Sequence, residues 1–231
     1  MPIAPGRKPA PVTRELRFYA DSANVEEISG LLADGLVHGV TTNPTILERG
    51  RRSVRDIPEL YARWEAEGAR EIFFQAWGDS AKTMIGNAER LAALGSRVVV
   101  KVPATRDGFT AAAALVSAGA TVLVTAVYAQ AQALAAATIG VRYIAPYLGR
   151  LNDAGREGVA EISAMQSLVQ GSGTDVLAAS LRTPDDIVSL AEVGVPFFTA
   201  APAVILAALY SEVSDRSAED FEAAVARGLQ D

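Results

Sequence analysis

Short runs of apolar and β-branched residues alternate along the chain with longer segments rich in alanine and leucine. Apolar runs of four to seven residues are typical of strands whose two faces are both buried. We therefore predict strands in eight places, at 16–20, 39–42, 71–76, 97–102, 121–127, 143–147, 175–180 and 197–200.

The segments between these runs carry the spacing and the end signals of helices. After the first strand, apolar residues recur at helical spacing from Val25 to Leu32, and Gly35 marks a stop. After the seventh strand, Thr183 can cap a helix and Pro184 suits its first turn. Each predicted strand is therefore followed by a predicted helix.

Eight βα units in one chain of 231 residues predict a single-domain (β/α)8 TIM barrel over residues 16–212. An open doubly wound sheet is the alternative fold. Such a sheet normally shows a glycine-rich phosphate-binding loop after its first strand. Here the first strand is followed by "ADSANVEE", which contains no glycine, and the "GSG" at 171–173 precedes a strand, as a plain loop would.

A remainder at 213–231 follows the eighth unit and predicts an extra C-terminal helix. Its apolar residues Phe221, Val225 and Leu229 fall at i, i+4 and i+8, and Ser217 is the expected cap. An apolar stripe outside a completed barrel needs a cover, which its own barrel or a neighbouring subunit could supply.

Composition narrows the classes of function. The net charge of −6 without a basic cluster argues against nucleic acid as a partner. The chain has no cysteine and one histidine, His38, which leaves no disulfide framework and no multi-histidine zinc site. We therefore expect no metal and no cofactor.

Two segments bear on location. The leader, residues 1–15, is rich in proline and lacks the apolar core of a signal peptide, so we expect it to be flexible. Residues 109–141 carry no charge, but Gly119 and Gln130 interrupt them and they divide into a helix, a strand and a helix. We expect a cytoplasmic protein that does not enter a membrane.

Polar side chains stand where the predicted strands end, which is the active-site face of such a barrel. Contact with water alone could explain any one of them, but it does not explain why Gln75 and Lys101 directly follow buried-looking runs. The strand-end residues are Asp21, Thr41, Thr42, Asn43, Gln75, Lys101, Thr125, Tyr147, Arg150, Ser180, Arg182 and Thr199.

Lys101 lies within the apolar run "RVVVKVPAT", in a chain with three lysines and eighteen arginines. Burial disfavours the ammonium form and lowers a lysine pKa from its ordinary value of about 10.4. A neutral amine can form a Schiff base with a ketone, and the iminium then stabilises a carbanion at the adjacent carbon. The alternatives are a lysine that snorkels to water or one that forms a buried ion pair with Asp21.

Other strand-end residues suit the remaining tasks of such chemistry. Asp21 is the single acid among them and could handle a hydroxyl proton, or it could form a salt bridge or cap a helix. Arg150, Ser180 and Arg182 suit a phosphate or a sulfonate. His38 precedes the second strand, so we expect a structural or surface role for it.

Several segments together resemble the transaldolase and fructose-6-phosphate aldolase family from about residue 16 to the C-terminus. The resemblance implies a class I aldolase on a (β/α)8 barrel, with Lys101 as the Schiff-base lysine and Asp21 as the proton-handling aspartate. It also implies donor contacts from Thr41 and Asn43 and a phosphate site formed by Arg150, Ser180 and Arg182. The segments are "FYADSANVEEI", "GVTTNPTIL", "VVVKVPAT", "TAVYAQAQALAA", "YIAPYLGRLNDAGREG" and "VLAASLRT".

Within the family, three positions order a water that shuttles protons to the Schiff base. The resemblance assigns them to Gln75, Thr125 and Tyr147, and glutamine with tyrosine is the aldolase combination, whereas transaldolases usually have glutamate and phenylalanine. Arg182 instead favours a transaldolase, because the best-known aldolase has lysine at this position. Thr45 stands where serine is usual and Asn152 where aspartate is frequent.

The resemblance therefore implies reversible cleavage of a ketose phosphate between C3 and C4, with dihydroxyacetone as the donor, in carbohydrate metabolism. Transaldol transfer between sugar phosphates, as in the pentose phosphate pathway, is the alternative within the family. A non-catalytic barrel that binds a sugar phosphate is the alternative of another class. Small members of the family form pentamers or decamers in which the C-terminal helix reaches a neighbour, so a homo-oligomer is expected.

Overall fold

Eight parallel strands, each hydrogen-bonded to the next along the chain, close into a barrel in the computed structural model, which describes residues 15–229. The last strand pairs in parallel with the first. This confirms the predicted barrel and excludes the open sheet. The strands are β1 Arg17–Asp21, β2 Gly39–Thr41, β3 Glu71–Gln75, β4 Val98–Pro103, β5 Val122–Val127, β6 Tyr143–Pro146, β7 Asp175–Leu181 and β8 Phe197–Ala200.

Within the described residues, eleven α-helices occupy the connections and the C-terminal end. Two connections hold two α-helices each, those after β2 and β6, and a short 3-10 helix at Val54–Asp56 lies in the first of them. The α-helices are α1 Val25–Ala33, α2 Pro44–Arg49, α3 Ile57–Ala66, α4 Ala81–Ala92, α5 Arg106–Ser117, α6 Gln130–Ile139, α7 Leu148–Asp153, α8 Gly158–Val169, α9 Pro184–Glu192, α10 Pro202–Leu209 and α11 Glu212–Gly228.

Local signals account for most helix ends. Gly35 follows α1 with a φ of +69°, a conformation that glycine adopts without strain. Thr183 caps α9 by accepting a hydrogen bond from the Asp186 N–H at 3.2 Å.

The uncharged stretch 109–141 is divided between α5, β5 and α6, as predicted. Across the described residues, every helix is either too short or too polar to span a bilayer.

The start of α11 differs from the prediction. The helix begins at Glu212, and Ser211 caps it by accepting from the Ser214 N–H at 3.4 Å. Ser217 lies inside the helix and donates its hydroxyl to the Val213 carbonyl at 2.8 Å. The apolar stripe did not reveal this earlier start, because polar Ser217 separates Val213, the one apolar residue of the first turn, from Phe221.

The core has two layers that lie on the two faces of the barrel wall. Side chains inside the barrel form one cluster, which includes Val99 of β4. Side chains between the strands and the helices form the other, which includes Val100 and Val102 of the same strand. Because successive residues of a strand face opposite sides, Lys101 shares the inner face with Val99.

A half-buried carboxylate lies at the N-terminal end of the barrel. The Glu71 carboxylate accepts hydrogen bonds from the hydroxyls of Tyr19 at 2.5 Å and Tyr143 at 2.7 Å. The His38 Nε2 atom lies 3.6 Å from Glu71, and the His38 ring meets the Tyr19 ring edge-on. His38 is thus part of the structural end of the barrel, which agrees with the role expected from its position.

Candidate active site

A cavity of about 440 Å³ opens at the C-terminal ends of the strands, within the usual size range of ligand pockets. Eight of the ten predicted site residues line it, from seven different strand–helix units. These are Asp21, Asn43, Gln75, Lys101, Thr125, Tyr147, Arg150 and Ser180. The other two, Thr41 and Arg182, are not among the lining residues.

The alternation of side chains along each strand places these groups in the cavity. On β4, Lys101 lies two residues beyond Val99, which belongs to the inner cluster. On β3, Gln75 lies two residues beyond Phe73 and pairs in register with Lys101. The barrel interior is therefore apolar in its middle and polar at its C-terminal mouth.

Lys101 is buried, with 5% of its surface exposed. Burial lowers its pKa, and the negative charge of Asp21 opposes this in part. Among residues 15–229, no carboxylate lies within ion-pair distance of its Nζ atom. The buried ion pair with Asp21 is therefore not formed, and the amine lines the cavity with a pKa lowered from that of a lysine in water.

Asp21 is held by a chain of hydrogen bonds from two threonines. The Thr41 hydroxyl donates to Asp21 Oδ1 at 2.6 Å, and the Thr199 hydroxyl lies 2.6 Å from that of Thr41. Burial raises the pKa of Asp21, while Lys101, Thr41 and Arg49 each act to lower it. Thr41 is fully buried and outside the cavity lining, and its hydroxyl is bonded to Asp21, so its direct contact with the donor stays a prediction.

Asn43 lines the pocket and also makes a hydrogen bond that stabilises a helix. Its Oδ1 atom accepts from the Ile46 N–H at 2.9 Å and so caps α2. The amide oxygen is committed to the helix, which leaves the Nδ2 group to serve a ligand. Asn43 can therefore donate to a substrate hydroxyl or carbonyl while it anchors α2 at the mouth.

Tyr147 and Thr125 form a hydrogen-bonded pair on adjacent strand ends, with their hydroxyls 2.8 Å apart. The ring of Tyr128 meets that of Tyr147 edge-on, with 5.9 Å between their centroids. Burial raises the pKa of Tyr147, which keeps its hydroxyl protonated near neutral pH. Tyr147 can therefore donate a proton or a hydrogen bond into the pocket.

Two lining residues adopt left-handed backbone conformations that side chains disfavour. Ala126 has a φ of +57° and Ser180 a φ of +58°. The strand register shifts at both places, between Thr125 and Val127 and between Ala178 and Leu181. Irregularities of this kind occur beside active sites, where they change the direction of a side chain, and the surrounding structure maintains them.

The predicted phosphate-binding arginines occupy different settings. Arg150 lines the cavity from α7. Arg182 instead holds Asp153 through two hydrogen bonds of 2.6 and 2.8 Å. The ends of α7 and β7 approach so closely that a Cβ on Gly149 would lie 2.8 Å from the Arg182 Nε atom. Arg182 would have to leave Asp153 to meet a ligand, which the sequence did not reveal.

One cationic lining residue was missed from the sequence. Arg49, the last residue of α2, lines the cavity together with Asp21. It escaped because only strand ends were searched. Two residues separate β2 from α2, and a helix of six residues spans only about 9 Å, so all of α2 stays at the mouth.

No group of three or more His, Asp and Glu side chains suited to a metal ion occurs in the described part of the chain. The cationic, acidic and hydroxyl groups of the pocket suit amine-based chemistry on an anionic, hydroxylated substrate.

The amino-acid sequence is similar to known proteins over most of its length. The sequence model described as "Transaldolase/Fructose-6-phosphate aldolase" matches residues 18–230. A protein named "Probable transaldolase" from Cereibacter sphaeroides is 35% identical over 214 residues, with 90% of this chain and 94% of that protein covered. One of the same name from Maridesulfovibrio salexigens is 35% identical over 210 residues, covering 90% of this chain and 97% of that protein.

Solved structures share the barrel at much lower identity. The thiamine phosphate pyrophosphorylase from Pyrococcus furiosus superposes with a TM-score of 0.59 at 16% identity, covering 82% of this chain and 87% of that one. A mandelate oxidase gives a TM-score of 0.56 at 17% identity, covering 81% of this chain and 66% of that one. At these identities, the likeness concerns the fold alone.

Proposed function

The chain belongs to the transaldolase/fructose-6-phosphate aldolase family, so it is an aldolase or a transaldolase, and we propose that it is a Schiff-base aldolase. Its reaction would be the reversible cleavage of a ketose phosphate between C3 and C4, with dihydroxyacetone as the donor. The observation that carries this proposal is Lys101, an amine that is buried, has no ion-pair partner among residues 15–229, and has a lowered pKa in a pocket with Asp21.

The chemistry begins at the Lys101 amine, which attacks the C2 carbonyl and forms an iminium with loss of water. Asp21 then takes the proton of the C4 hydroxyl. The electrons of the C3–C4 bond move toward the iminium, an enamine remains on Lys101, and the C4 fragment leaves as an aldehyde. The pair of Thr125 and Tyr147, 2.8 Å apart, then delivers a proton to C3. Hydrolysis releases dihydroxyacetone and restores the amine, and the proton held by Asp21 passes through water to the pair of Thr125 and Tyr147, which restores both groups.

The remaining pocket groups serve binding in this proposal. The free amide nitrogen of Asn43 contacts the donor hydroxyls, and Gln75 orders the water near Lys101. Arg150 and Ser180 bind the phosphate, and Arg182 joins them only if it leaves Asp153. Both guanidiniums would suit a sulfonate as well as a phosphate.

Transaldol transfer is the second candidate, because both named relatives carry the name "Probable transaldolase". It uses the same lysine and aspartate and differs in the fate of the enamine. In an aldolase, the enamine is protonated and leaves, whereas in a transaldolase it waits for an acceptor aldehyde. The hydroxyl of Tyr147 beside Thr125 favours protonation and hence the aldolase.

Borohydride trapping tests the mechanism. Reduction in the presence of dihydroxyacetone or fructose 6-phosphate should add covalent mass to the peptide that contains Lys101 and to no other. Labelling at Lys8 or Lys82 instead, or no labelling, would contradict the mechanism, and the latter would favour a non-catalytic sugar-phosphate-binding barrel. Treatment with EDTA should leave activity unchanged, because no step uses a metal.

Cleavage of fructose 6-phosphate with and without erythrose 4-phosphate then separates the two activities. Release of free dihydroxyacetone without the acceptor identifies the aldolase. Rapid transfer with almost no free dihydroxyacetone identifies the transaldolase.

We also propose that the protein acts in the cytoplasm as a homo-oligomer, a pentamer or a decamer. The support for assembly is α11, in which no residue is buried although large apolar side chains recur at helical spacing on the helix and on its C-terminal capping residue. These are Phe221, Val225 and Leu229.

A further inference from the structure

Arg49 is a cation of the pocket that the proposed reaction does not use. It ends α2, is exposed, and lines the catalytic cavity. Among residues 15–229, no carboxylate lies within ion-pair distance of it, whereas Arg182 is paired with Asp153. The guanidinium of Arg49 can therefore meet a ligand without the loss of an existing ion pair.

The order of the strands gives the direction of the substrate across the mouth of the barrel. Lys101 lies on β4 and Asp21 ends β1, with β2 and β3 between them on one side and β5 to β8 on the other. In the proposed reaction, C2 of the ketose is joined to Lys101 and its C4 hydroxyl meets Asp21. The carbons beyond C4, which become the acceptor aldehyde, therefore extend past Asp21 on the side of β1.

Arg49 and Ser180 lie on either side of the end of β1. Arg49 follows β2, which pairs directly with β1. Ser180 lies near the C-terminal end of β7, which only β8 separates from β1 in the other direction. Both residues line the catalytic cavity with Asp21, and the charge of Arg49 lowers the pKa of Asp21. A group attached beyond C4 would therefore lie between the Arg49 guanidinium and the Ser180 hydroxyl.

Space for the acceptor half exists on this side of the mouth. A second cavity of about 420 Å³ is also lined by Asp21, Arg49 and Ser180 and extends toward α1 and α10. Arg150 is not among its lining residues, whereas the Glu27 carboxylate of α1 is. An anionic group on the acceptor half is therefore favoured beside Arg49 and Ser180 and disfavoured farther along this space, near Glu27.

We propose that Arg49, together with Ser180, binds the phosphate on the acceptor half of the substrate. The class of acceptor is an aldehyde that carries a phosphate at the end of its chain away from the aldehyde carbon. Arg150 follows β6 and approaches from the side of β7, so the two arginines hold one phosphate between them. A guanidinium binds a phosphate through two parallel hydrogen bonds, which makes Arg49 a specificity-determining residue for the acceptor.

This inference rests on the proposed function, because it uses the orientation that Lys101 and Asp21 give to the ketose. The covalent bonds made and broken are those of the proposed reaction. Arg49 makes hydrogen bonds to the phosphate, and the phosphate ester stays intact throughout.

The test compares fructose 6-phosphate, which carries the acceptor phosphate, with dihydroxyacetone, which lacks the acceptor half. Each is trapped on the protein with borohydride at a concentration below saturation, and the Lys101 peptide is quantified by mass spectrometry. Arg49→Gln should lower the ratio of labelling by fructose 6-phosphate to labelling by dihydroxyacetone about 10- to 100-fold. This is the size expected for the loss of a hydrogen bond between charged groups.

Fructose separates a contact with the phosphate from a contact with the acceptor hydroxyls, because it has the same carbons without the phosphate. Its labelling of Lys101, relative to that by dihydroxyacetone, should be no lower in Arg49→Gln than in the wild-type protein. A fall for fructose as large as that for fructose 6-phosphate would contradict the inference, since Arg49 would then contact the sugar hydroxyls.

Two further variants complete the design. Arg49→Lys keeps the charge beside Asp21 but not the two parallel bonds, and its ratio should fall between those of the wild type and Arg49→Gln. Arg55→Gln removes the same charge from an exposed arginine of the same β2–α3 connection, outside the lining of both cavities, and should leave the ratio unchanged.

The outcomes separate this inference from the proposed function. Labelling of the wild-type protein by dihydroxyacetone alone, or an unchanged ratio in Arg49→Gln, would overturn the inference and leave the Schiff-base chemistry in place. Equal loss of both labels in Arg49→Gln would also overturn it, because Arg49 would then act on Asp21 or on the pocket in general. Absence of both labels in the wild-type protein would overturn the proposed function itself.

Discussion

At the scale of single residues, two opposite charges buried in one pocket influence each other's protonation. Lys101 and Asp21 share one pocket without forming an ion pair, and burial disfavours the charged form of each. Each charge nevertheless favours the other at a distance. The proton equilibrium of the amine therefore depends on the state of the aspartate.

The pH dependence of amine reactivity follows from this arrangement. Because burial lowers the pKa of Lys101, its neutral fraction should rise at a lower pH than that of free lysine, about 10.4. Asp21→Asn removes the negative charge that favours the ammonium, so the midpoint should move lower still. Labelling of the Lys101 peptide by an amine-selective arylating reagent, with N-acetyl-lysine amide alongside, measures both midpoints. An upward shift in Asp21→Asn would contradict the electrostatic account.

Tyr147 decides the subtype in the proposed mechanism. Tyr147→Phe removes the hydroxyl that lies 2.8 Å from that of Thr125 and keeps the ring that packs against Tyr128. Acid–base groups contribute roughly 10²–10⁴-fold, so release of free dihydroxyacetone should fall by about 100-fold or more. Transfer of the donor to an added aldehyde should fall much less.

Tyr128→Phe is the matched control for this experiment, because it removes a hydroxyl from the ring that packs against Tyr147. It should leave the ratio of release to transfer unchanged. A parallel loss of both activities in Tyr147→Phe would instead indicate a role in binding or packing.

At the scale of elements, the proposed function makes α2 a link between stability and substrate binding. Asn43 caps this helix with its amide oxygen, and Arg49 ends it, so both ends of one short helix face the pocket. The bond at Asn43 therefore holds both of these side chains in place.

Two substitutions at Asn43 separate its structural and binding roles. Asn43→Ala removes the cap and should lower the free energy of unfolding by about 1 kcal/mol, with a loss of activity. Asn43→Asp keeps an oxygen acceptor for the Ile46 N–H but removes the amide donor, so it should retain most of the stability and still lose activity. Thermal unfolding and the rate of dihydroxyacetone release measure the two effects. Full activity in Asn43→Asp would show that Asn43 serves the helix alone.

At the scale of the whole molecule, α11 is the element that the barrel does not use. Phe221, Val225 and Leu229 are 69%, 55% and 82% exposed and follow one face of the helix. An exposed stripe of this kind marks a contact surface or a site of aggregation. In the proposed oligomer, a neighbouring copy of the chain covers it.

Replacing these three residues by serine should reduce the assembly to a smaller species, because the buried apolar area that joins the copies is lost. Light scattering measures the mass, and circular dichroism checks that the barrel remains folded. Serine substitutions at Arg216, Asp220 and Arg227, on the opposite face of α11, are the control and should leave the mass unchanged. A wild-type mass of one chain would refute assembly.

The sequence predicted the barrel because each element carries its own local signal. Strand runs, the Thr183 cap and the Gly35 stop act over a few residues, and eight repeats of one unit leave few ways to close a sheet. The start of α11 was the exception, since polar Ser217 interrupts the apolar stripe between Val213 and Phe221.

For the candidate site, the sequence predicted the chemistry from the type of each residue and its place at a strand end. A lysine inside an apolar run and an acid at a strand end retain their meaning in any barrel of this kind. That is why Lys101 and Asp21 could be named before the structure, together with the face on which they meet.

The direction and the partners of side chains came only from the tertiary structure. Both faces of each barrel strand are buried, so the apolar pattern does not tell which face turns inward. The partner of Arg182 is Asp153, 29 residues away, and the partner of Thr41 is Asp21, on a neighbouring strand. Arg49 reaches the pocket because α2 is short and stays at the mouth. Local patterns determined the elements and the reactive groups, whereas closure of the barrel decided which groups meet, because those contacts join residues distant in the chain.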